Sequence, residues 1–387
     1  MNIYIDYTTV EELERDIGAY TGAGNYTRDL IRTLKEAGTD IKLLVHEDFV
    51  PKKSCERELM PEEDALFRVK DITAFSFSKG DVLVLPAVTG RILAKALRIR
   101  KKHPSLRIYA VIHDRQHNIS RFDPMDRLFQ EGILRFLPLL FARYVLKKVS
   151  YDLLYPGWIK AVDKVFTVSD HTLQALSHKN LRRVILLYQP SSMARISDLK
   201  NPGLDGKEEF ILFVSGGRPE KNLGRALLAF RDFCKSTKTK CRLCVTGIER
   251  KRLYYIADRL GLSGEFTDER VRSFDYVERE ELAYLYRNCR YLLFVSKGEG
   301  FGLPVLEAVE SGKTVLCSWQ SAMPEVCGSI LYYVDAFNVS SIRDGMVYLN
   351  DDENLAGRER LVEKKKRIIA EQTELDREVL VKEMIGE

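Results

Sequence analysis

An α/β fold of two doubly wound halves in series is predicted by three observations. Short apolar runs alternate with helical patterns along nearly the whole chain, as a parallel sheet covered on both faces requires. That rhythm breaks once, between Pro190 and Glu209, in a stretch of Pro, Gly, Ser and charge that reads as a linker. The 387 residues are enough for two or three separate cores. The resulting boundaries are an N-terminal domain over 1–190, a linker over 191–209 and a C-terminal domain over 210–357. A helical tail over 358–387 follows, for which packing back onto the N-terminal domain is one option.

In the first half the strands are Asn2–Asp6, Ile41–Val45, Asp81–Leu85, Arg107–Ile112, Lys164–Val168 and Arg183–Leu187. Between them lie a helix carrying Tyr26, Leu30, Ile31 and Leu34, a basic helix from Ile92 to Lys102, and another from Asp170. The charged, proline-bearing stretch from Asp48 to Glu63 reads as a surface loop. After the linker the strands are Phe210–Val214, Cys241–Thr246, Val271–Phe274, Tyr291–Val295, Val315–Cys317 and Ile330–Val334. Helices start at Asn222, Glu249 and Glu278. Two doubly wound halves of this kind bind ligands at the C-terminal ends of their strands.

Composition narrows the function classes. Apolar residues make up 45% and charged residues 30%, as in an ordinary globular protein. A net charge of +5 suits phosphate ligands or an anionic surface and falls short of a nucleic-acid binder. The N-terminus is acidic and has no signal-peptide core, and no apolar run is long enough to span a bilayer. A cytoplasmic chain is the expectation, at the inner face of the cell membrane if the membrane reading below holds. The seven cysteines are scattered apart from Cys241 and Cys244, which a strand points to opposite faces; they read as buried structural thiols.

The most informative stretch runs from Ser296 to Lys313, SKGEGFGLPVLEAVESGK. A buried strand leads into Gly298, Gly300 and Gly302, and a helix follows from Pro304 with Gly312 at its end. A glycine turn opening a helix presents free N–H groups at the positive end of the helix dipole, a ready anion site. Glu299 and Glu307 flank it and suit hydroxyls rather than phosphate. Phosphate beside a polyol describes a nucleotide sugar. The plain structural alternative is a strand–turn–helix whose glycines serve only close packing.

The Glu-to-Glu spacing, the Gly-Phe-Gly and the proline at the helix start together resemble the donor-sugar motif of the retaining nucleotide-sugar glycosyltransferases of family four (glycosyl transferases group 1), whose architecture is called GT-B. The resemblance runs in order from Lys251 to Asn350, through YVEREELAYLYRNCRYLLFVS, SAMPEV and LYYVDAFNVSSI. Upstream, VIHD and FTVSDHTLQAL are similar to the family's N-terminal signatures. It is weakest over Phe49–Lys79, Asn118–Lys160 and after Asp351. It implies two Rossmann-like domains facing each other across a cleft.

Residue by residue, the resemblance makes Glu307 the acceptor for two ribose hydroxyls and Glu299 the contact to the transferred sugar near its reacting carbon. Gly300, Phe301, Gly302 and Leu303 offer amides to the donor. At another strand-to-helix turn, Gly217 precedes Arg218 and Lys221, cations placed to hold a diphosphate and neutralise the leaving nucleotide. Cations are unfavourable at a helix start, which argues for an anionic ligand. The family spaces this Arg and Lys further apart, so Lys221 carries the stronger match. Gly22 and Gly24 form a loop before a helix that, in the family, approaches the diphosphate. His113 resembles the histidine that hydrogen-bonds the transferred sugar, and its plain alternative is an ordinary loop histidine. His117 lies four residues on, but no third ligand accompanies the two, and no metal is expected.

These residues imply transfer of a hexose or deoxyhexose, such as mannose, rhamnose or glucose, from a nucleoside-diphosphate sugar. The acceptor is a growing glycan or a lipid-linked sugar in envelope or capsular polysaccharide synthesis. The reaction is retaining and uses no cofactor. A second class is a catalytically silent subunit of the same fold, which usually lacks the glutamates or the lysine present here. An epimerase or phosphorylase on this fold has no signature in the chain. For Arg127–Lys148, RLFQEGILRFLPLLFARYVLKK, two readings stand open: a basic, aromatic face on an anionic membrane, or a core helix pair broken near Pro138.

Overall fold

The computed structural model describes residues 2–17, 22–51, 63–88, 90–113, 122–130, 136–177, 184–187, 193, 196–206, 208–266 and 269–385. Contacts divide the chain into two compact units. Residues 1–118, 147–190 and 372–387 form the first, and 119–146 with 191–371 the second.

The first unit is built on β1 (Ile3–Asp6), β2 (Ile41–His46), β3 (Leu66–Val69), β4 (Val82–Leu85), β5 (Arg107–Ile112), β6 (Lys164–Thr167) and β7 (Val184–Leu186). They lie parallel in the order β3-β2-β1-β4-β5-β6-β7. Central β1 and β4 are buried at every position, which is why they read as unbroken apolar runs. The helices are α1 (Thr8–Ile17), α2 (Gly22–Glu36), α3 (Gly90–Lys102), α4 (Leu137–Trp158), of which only the part from residue 147 belongs to this unit, and α5 (Asp170–Ser177). One face of the sheet packs Tyr4 edge-on against Phe67, Phe75 and Phe77.

In this unit two elements escaped the sequence pattern. In β3, Leu66 and Phe67 are half-buried and Arg68 is exposed, so a sheet-edge strand of four residues leaves no apolar run. At the start of α1 the β-branched Thr8, Thr9 and Val10 hide the helix. It begins because the buried Asp6 carboxylate accepts from Thr8 N at 3.1 Å and from the Thr8 and Thr9 hydroxyls at 2.6 and 2.7 Å.

The second unit holds β8 (Phe210–Phe213), β9 (Arg242–Thr246), β10 (Val271–Phe274), β11 (Leu292–Phe294), β12 (Val315–Ser318) and β13 (Tyr332–Val334). These are parallel in the order β10-β9-β8-β11-β12-β13. Its helices are α6 (Leu223–Thr237), α7 (Arg250–Arg259), α8 (Arg279–Asn288), α9 (Leu303–Glu310), α10 (Met323–Cys327), α11 (Val339–Asn350) and α12 (Asp352–Ile385). One core cluster joins the strands to α6, α7 and α11, with Phe213, Phe230, Phe233, Leu243 and Met346 at its centre. Cys241 and Cys244 are both buried, and burial pushes each thiol up to about 12.

A linear boundary at 190 assigns residues 119–146 to the N-terminal half, but they group with the second unit. The reason is through-space. Leu128 and Phe129 enter the second unit's core, and Asp123 pairs with Arg225 and Lys297. Helix α12 likewise divides: residues to Glu371 group with the second unit and those from Gln372 with the first. Within the first unit, Lys164 donates to the carbonyl and carboxylate of Glu383, both at 2.8 Å.

Candidate active site

In the second sheet the chain order reverses between β8 and β11, which lie side by side with Leu292 opposite Leu212. Connections leave these two strands in opposite directions, and the region beyond their C-terminal ends is the usual ligand site of such sheets. Strand β8 delivers residues 214–222 to that point and β11 delivers 295–302.

The two turns are bonded to each other. Lys297 N donates to Glu220 O at 2.8 Å, and Asn222 Nδ2 reaches Val295 O at 3.1 Å and Ala336 O at 2.6 Å. Asn222 sits at φ 69°, a left-handed conformation that Asn tolerates better than most residues. These bonds bring Lys221 Nζ within 2.6 Å of Glu299 Oε1, across 78 residues of sequence. The pair is nearly closed off from solvent, with side chains 4% and 10% exposed. Ser296 Oγ lies 2.6 Å from the same Glu299 oxygen, and the Lys221 ammonium sits 4.7 Å above the Phe294 ring.

Gly302 opens α9 at φ 96°, a conformation costing an L side chain about 1–2 kcal/mol. Phe301 and Leu303 beside it are buried, and Gly300 and Phe301 already make interactions of their own. Glu307, in the second turn of α9, is buried and accepts the Tyr286 hydroxyl at 2.8 Å. Burial, then the Glu307 charge, raises the Tyr286 phenol far above its ordinary value, so it stays a donor.

Not every expected residue converges. The Arg218 side chain is 45% exposed and pairs with Glu220. Gly217 has a packing reason: its N–H donates to Gly247 O at 2.9 Å, and a Cβ there would lie 2.6 Å from that oxygen.

In the first unit, Gly22 and Gly24 stand in the first turn of α2 rather than in a loop before it. A Cβ on Gly24 would come within 2.0 Å of Glu14 Oε1, whose carboxylate holds the buried Arg28, while one on Gly22 would meet open space. His113 follows β5, with Nε2 2.8 Å from Pro86 O just past β4 and its ring edge-on to Tyr26 at 4.9 Å. Burial pushes its imidazole down to about 4, so it is neutral at pH 7. A carbonyl only accepts, so Nε2 carries the proton and Nδ1 is left as an acceptor. Asp114, which follows His113 in the VIHD signature, and His117 lie outside the described residues.

Sequence reasoning missed the supports. Asp123, 2% exposed, accepts Arg225 at 2.7 and 3.0 Å and Lys297 at 3.0 Å, and Lys297 also pairs with Asp126. The two cations and a backbone N–H hold its carboxyl down to about 2 against burial, which raises it. This clasp fixes the residue two before Glu299. Lys297 stands inside the glycine motif, but nothing local marks its partners 171 and 174 residues away.

The fold and this site define an α/β protein with a glycine turn opening a helix at a sheet's switch point. Comparison with known proteins points to a family: residues 195–368, somewhat under half of the chain, match the glycosyl transferases group 1 model. Over 136 residues it is 32% identical to O-antigen chain mannosyltransferase B of Escherichia coli, covering 34% of each chain. Over 161 residues it is 30% identical to the serotype-specific mannosyltransferase WbdA of Escherichia coli, covering 40% of this chain and 18% of that one. The matches thus span about a third or less of these relatives' length. Among solved structures, the trehalose-6-phosphate synthase OtsA superposes with a TM-score of 0.69 at 13% identity, over 99% of both chains. The sucrose-phosphate synthase of Thermosynechococcus elongatus gives 0.64 at 12% identity, over 98% of this chain and 99% of that one. At such identities the likeness is one of fold, and that fold is GT-B-like.

Proposed function

We propose that the chain is a retaining, metal-independent glycosyltransferase. It moves a hexose or deoxyhexose from a nucleoside-diphosphate sugar to a growing glycan or lipid-linked acceptor in envelope polysaccharide synthesis. The observation that carries this reading is the Lys221–Glu299 pair at the switch point of the second sheet. Mannose is the first sugar to try, since both curated relatives are named mannosyltransferases.

In this reading the bond from the anomeric carbon to the diphosphate oxygen breaks while an acceptor hydroxyl attacks from the same face. The acceptor's proton passes to the departing phosphate oxygen. Lys221 neutralises the charge that builds on that phosphate, and Glu299 orients the sugar and favours positive charge at its reacting carbon. Glu307 accepts the ribose hydroxyls. An incoming diphosphate competes with Glu220 for Arg218. His113, neutral, takes a sugar hydroxyl's proton into a hydrogen bond at Nδ1. Of the glycine turn, Gly302 and Leu303 begin α9 and offer the donor its positive end.

The test is transfer from a panel of nucleoside-diphosphate sugars, preceded by thermal-shift screening with UDP, GDP, TDP and ADP. Activity is expected to persist in excess EDTA, because cations and a helix N-terminus take the place of a divalent ion. Loss in EDTA with recovery on adding magnesium overturns the metal-independent part of the proposal.

We also propose peripheral attachment to an anionic membrane, which places the protein at the inner face of the cell membrane. Phe136 and, in the first half of α4, Leu139, Phe141, Val145 and Leu146 are exposed beside Arg143, an arrangement that disfavours the core reading of this stretch. Arg127 is exposed as well; Arg135 lies outside the described residues, as do the side chains of Lys147 and Lys148. Among the described residues no helix is long and apolar enough to cross a membrane. Each cation gains about 1 kcal/mol near such a surface. The protein is expected to pellet with phosphatidylserine-containing vesicles at low salt and to be released as salt rises. Recovery in the supernatant at low salt defeats this.

A further inference from the structure

Helix α12 has two apolar stripes. The first is buried, with Leu355, Val362, Ile369, Leu380 and Met384. The second runs beside it through Leu361, Ile368, Leu375 and Val379, which are 40%, 55%, 56% and 41% exposed. Steps of seven, seven and four keep these side chains on one line of the helix, the spacing of a helix-pairing seam. Surface leucines occur singly without meaning, but four in register over five turns do not.

Charge along one flank of this stripe says what covers it. Arg360, Lys364 and Arg367 occupy its N-terminal part, and Glu371 and Glu378 its C-terminal part; all five are exposed. None of the five has an ion pair among the described residues. We propose that this stripe pairs with the same stripe of a second copy of this chain, the two helices running antiparallel about a two-fold axis at Ile368. Ile368 then meets its own copy and Leu361 meets Leu375. Lys364 and Arg367 face Glu371, and Arg360 faces Glu378, each contact occurring twice by symmetry. A parallel pair in register sets Lys364 beside Lys365 and Glu378 beside Asp376, like against like, and is disfavoured. A helix of this length, about 30 Å along the seam, makes a modest interface, so the dimer depends on concentration.

Sedimentation velocity on the full chain tests this. The wild type is expected to dimerise between about 1 and 100 µM, and Ile368→Lys to weaken association at least tenfold. The double variant Lys364→Glu/Arg367→Glu is expected to weaken it similarly. Adding Glu371→Lys to that double variant restores it, since the two new glutamates again face a cation and the Arg360–Glu378 contact is kept. All substituted residues are exposed, and unchanged melting temperatures confirm folding. A wild type monomeric at 100 µM overturns the proposal, as does a dimer indifferent to Ile368→Lys. Failure of the triple variant to re-associate overturns the antiparallel arrangement. A monomer whose vesicle binding is lost in Ile368→Lys assigns the stripe to lipid instead.

Discussion

Replacing Lys221 with methionine is expected to lower turnover by about 10²–10³, the loss typical when one group that stabilises developing charge is removed. The same change leaves Glu299 with its carboxylate almost buried and without its cation. Breaking a buried pair in this way costs about 3–5 kcal/mol of stability. The two effects separate in the double variant Lys221→Met/Glu299→Gln, which has no stranded charge. It should regain most of the lost melting temperature while its turnover stays at or below that of the single variant. The outcome that sinks the role is single-variant turnover within threefold of wild type. Stability that fails to return in the double variant shows instead that the methylene packing over Phe294, 4.7 Å from the ammonium, carries the effect.

Replacing Glu307 with glutamine is expected to weaken nucleoside-diphosphate binding about 10–100-fold, which corresponds to about 1–3 kcal/mol for hydrogen bonds to a charged acceptor. Glutamine keeps the shape and one acceptor oxygen, so the difference reports the charge. A control lies in Tyr286→Phe, which removes the 2.8 Å bond that orients this carboxylate but leaves the carboxylate itself. Its effect should be smaller, about threefold, with the melting temperature measured in parallel because Tyr286 is fully buried. Calorimetry at fixed ionic strength reads both variants. Wild-type affinity in Glu307→Gln removes this residue from the donor site.

Much of the fold was legible because it rests on local regularities. Apolar runs of four to six residues marked the buried strands, and the break at Pro190–Glu209 marked the passage between the two series. Where a strand sits at a sheet edge, as β3 does, burial is incomplete and the pattern fades. Where a helix starts on threonines, as α1 does, the signal is a carboxylate two residues upstream rather than a periodicity. The glycine turn was legible for the same reason: Gly302 must take a positive φ, and few residues can stand in for it.

By itself, then, the sequence determined two parallel α/β sheets and a glycine turn with Glu299 and Glu307 at the head of a helix. It placed Lys221 after another strand without its partner. Tertiary structure alone decided that the two turns meet, because only the side-by-side placement of β8 and β11 brings Lys221 to Glu299. It decided that residues 119–146 join the second unit, through the pairing of Asp123 with Arg225 and Lys297. It also gave Gly24 and Gly217 close packing partners, Glu14 and Gly247, that glycine content alone does not distinguish from phosphate binding. The physical division is one of range. Backbone conformation and periodic burial are set by neighbours a few residues away, whereas ion pairs and close approaches join groups whose separation along the chain carries no mark of it.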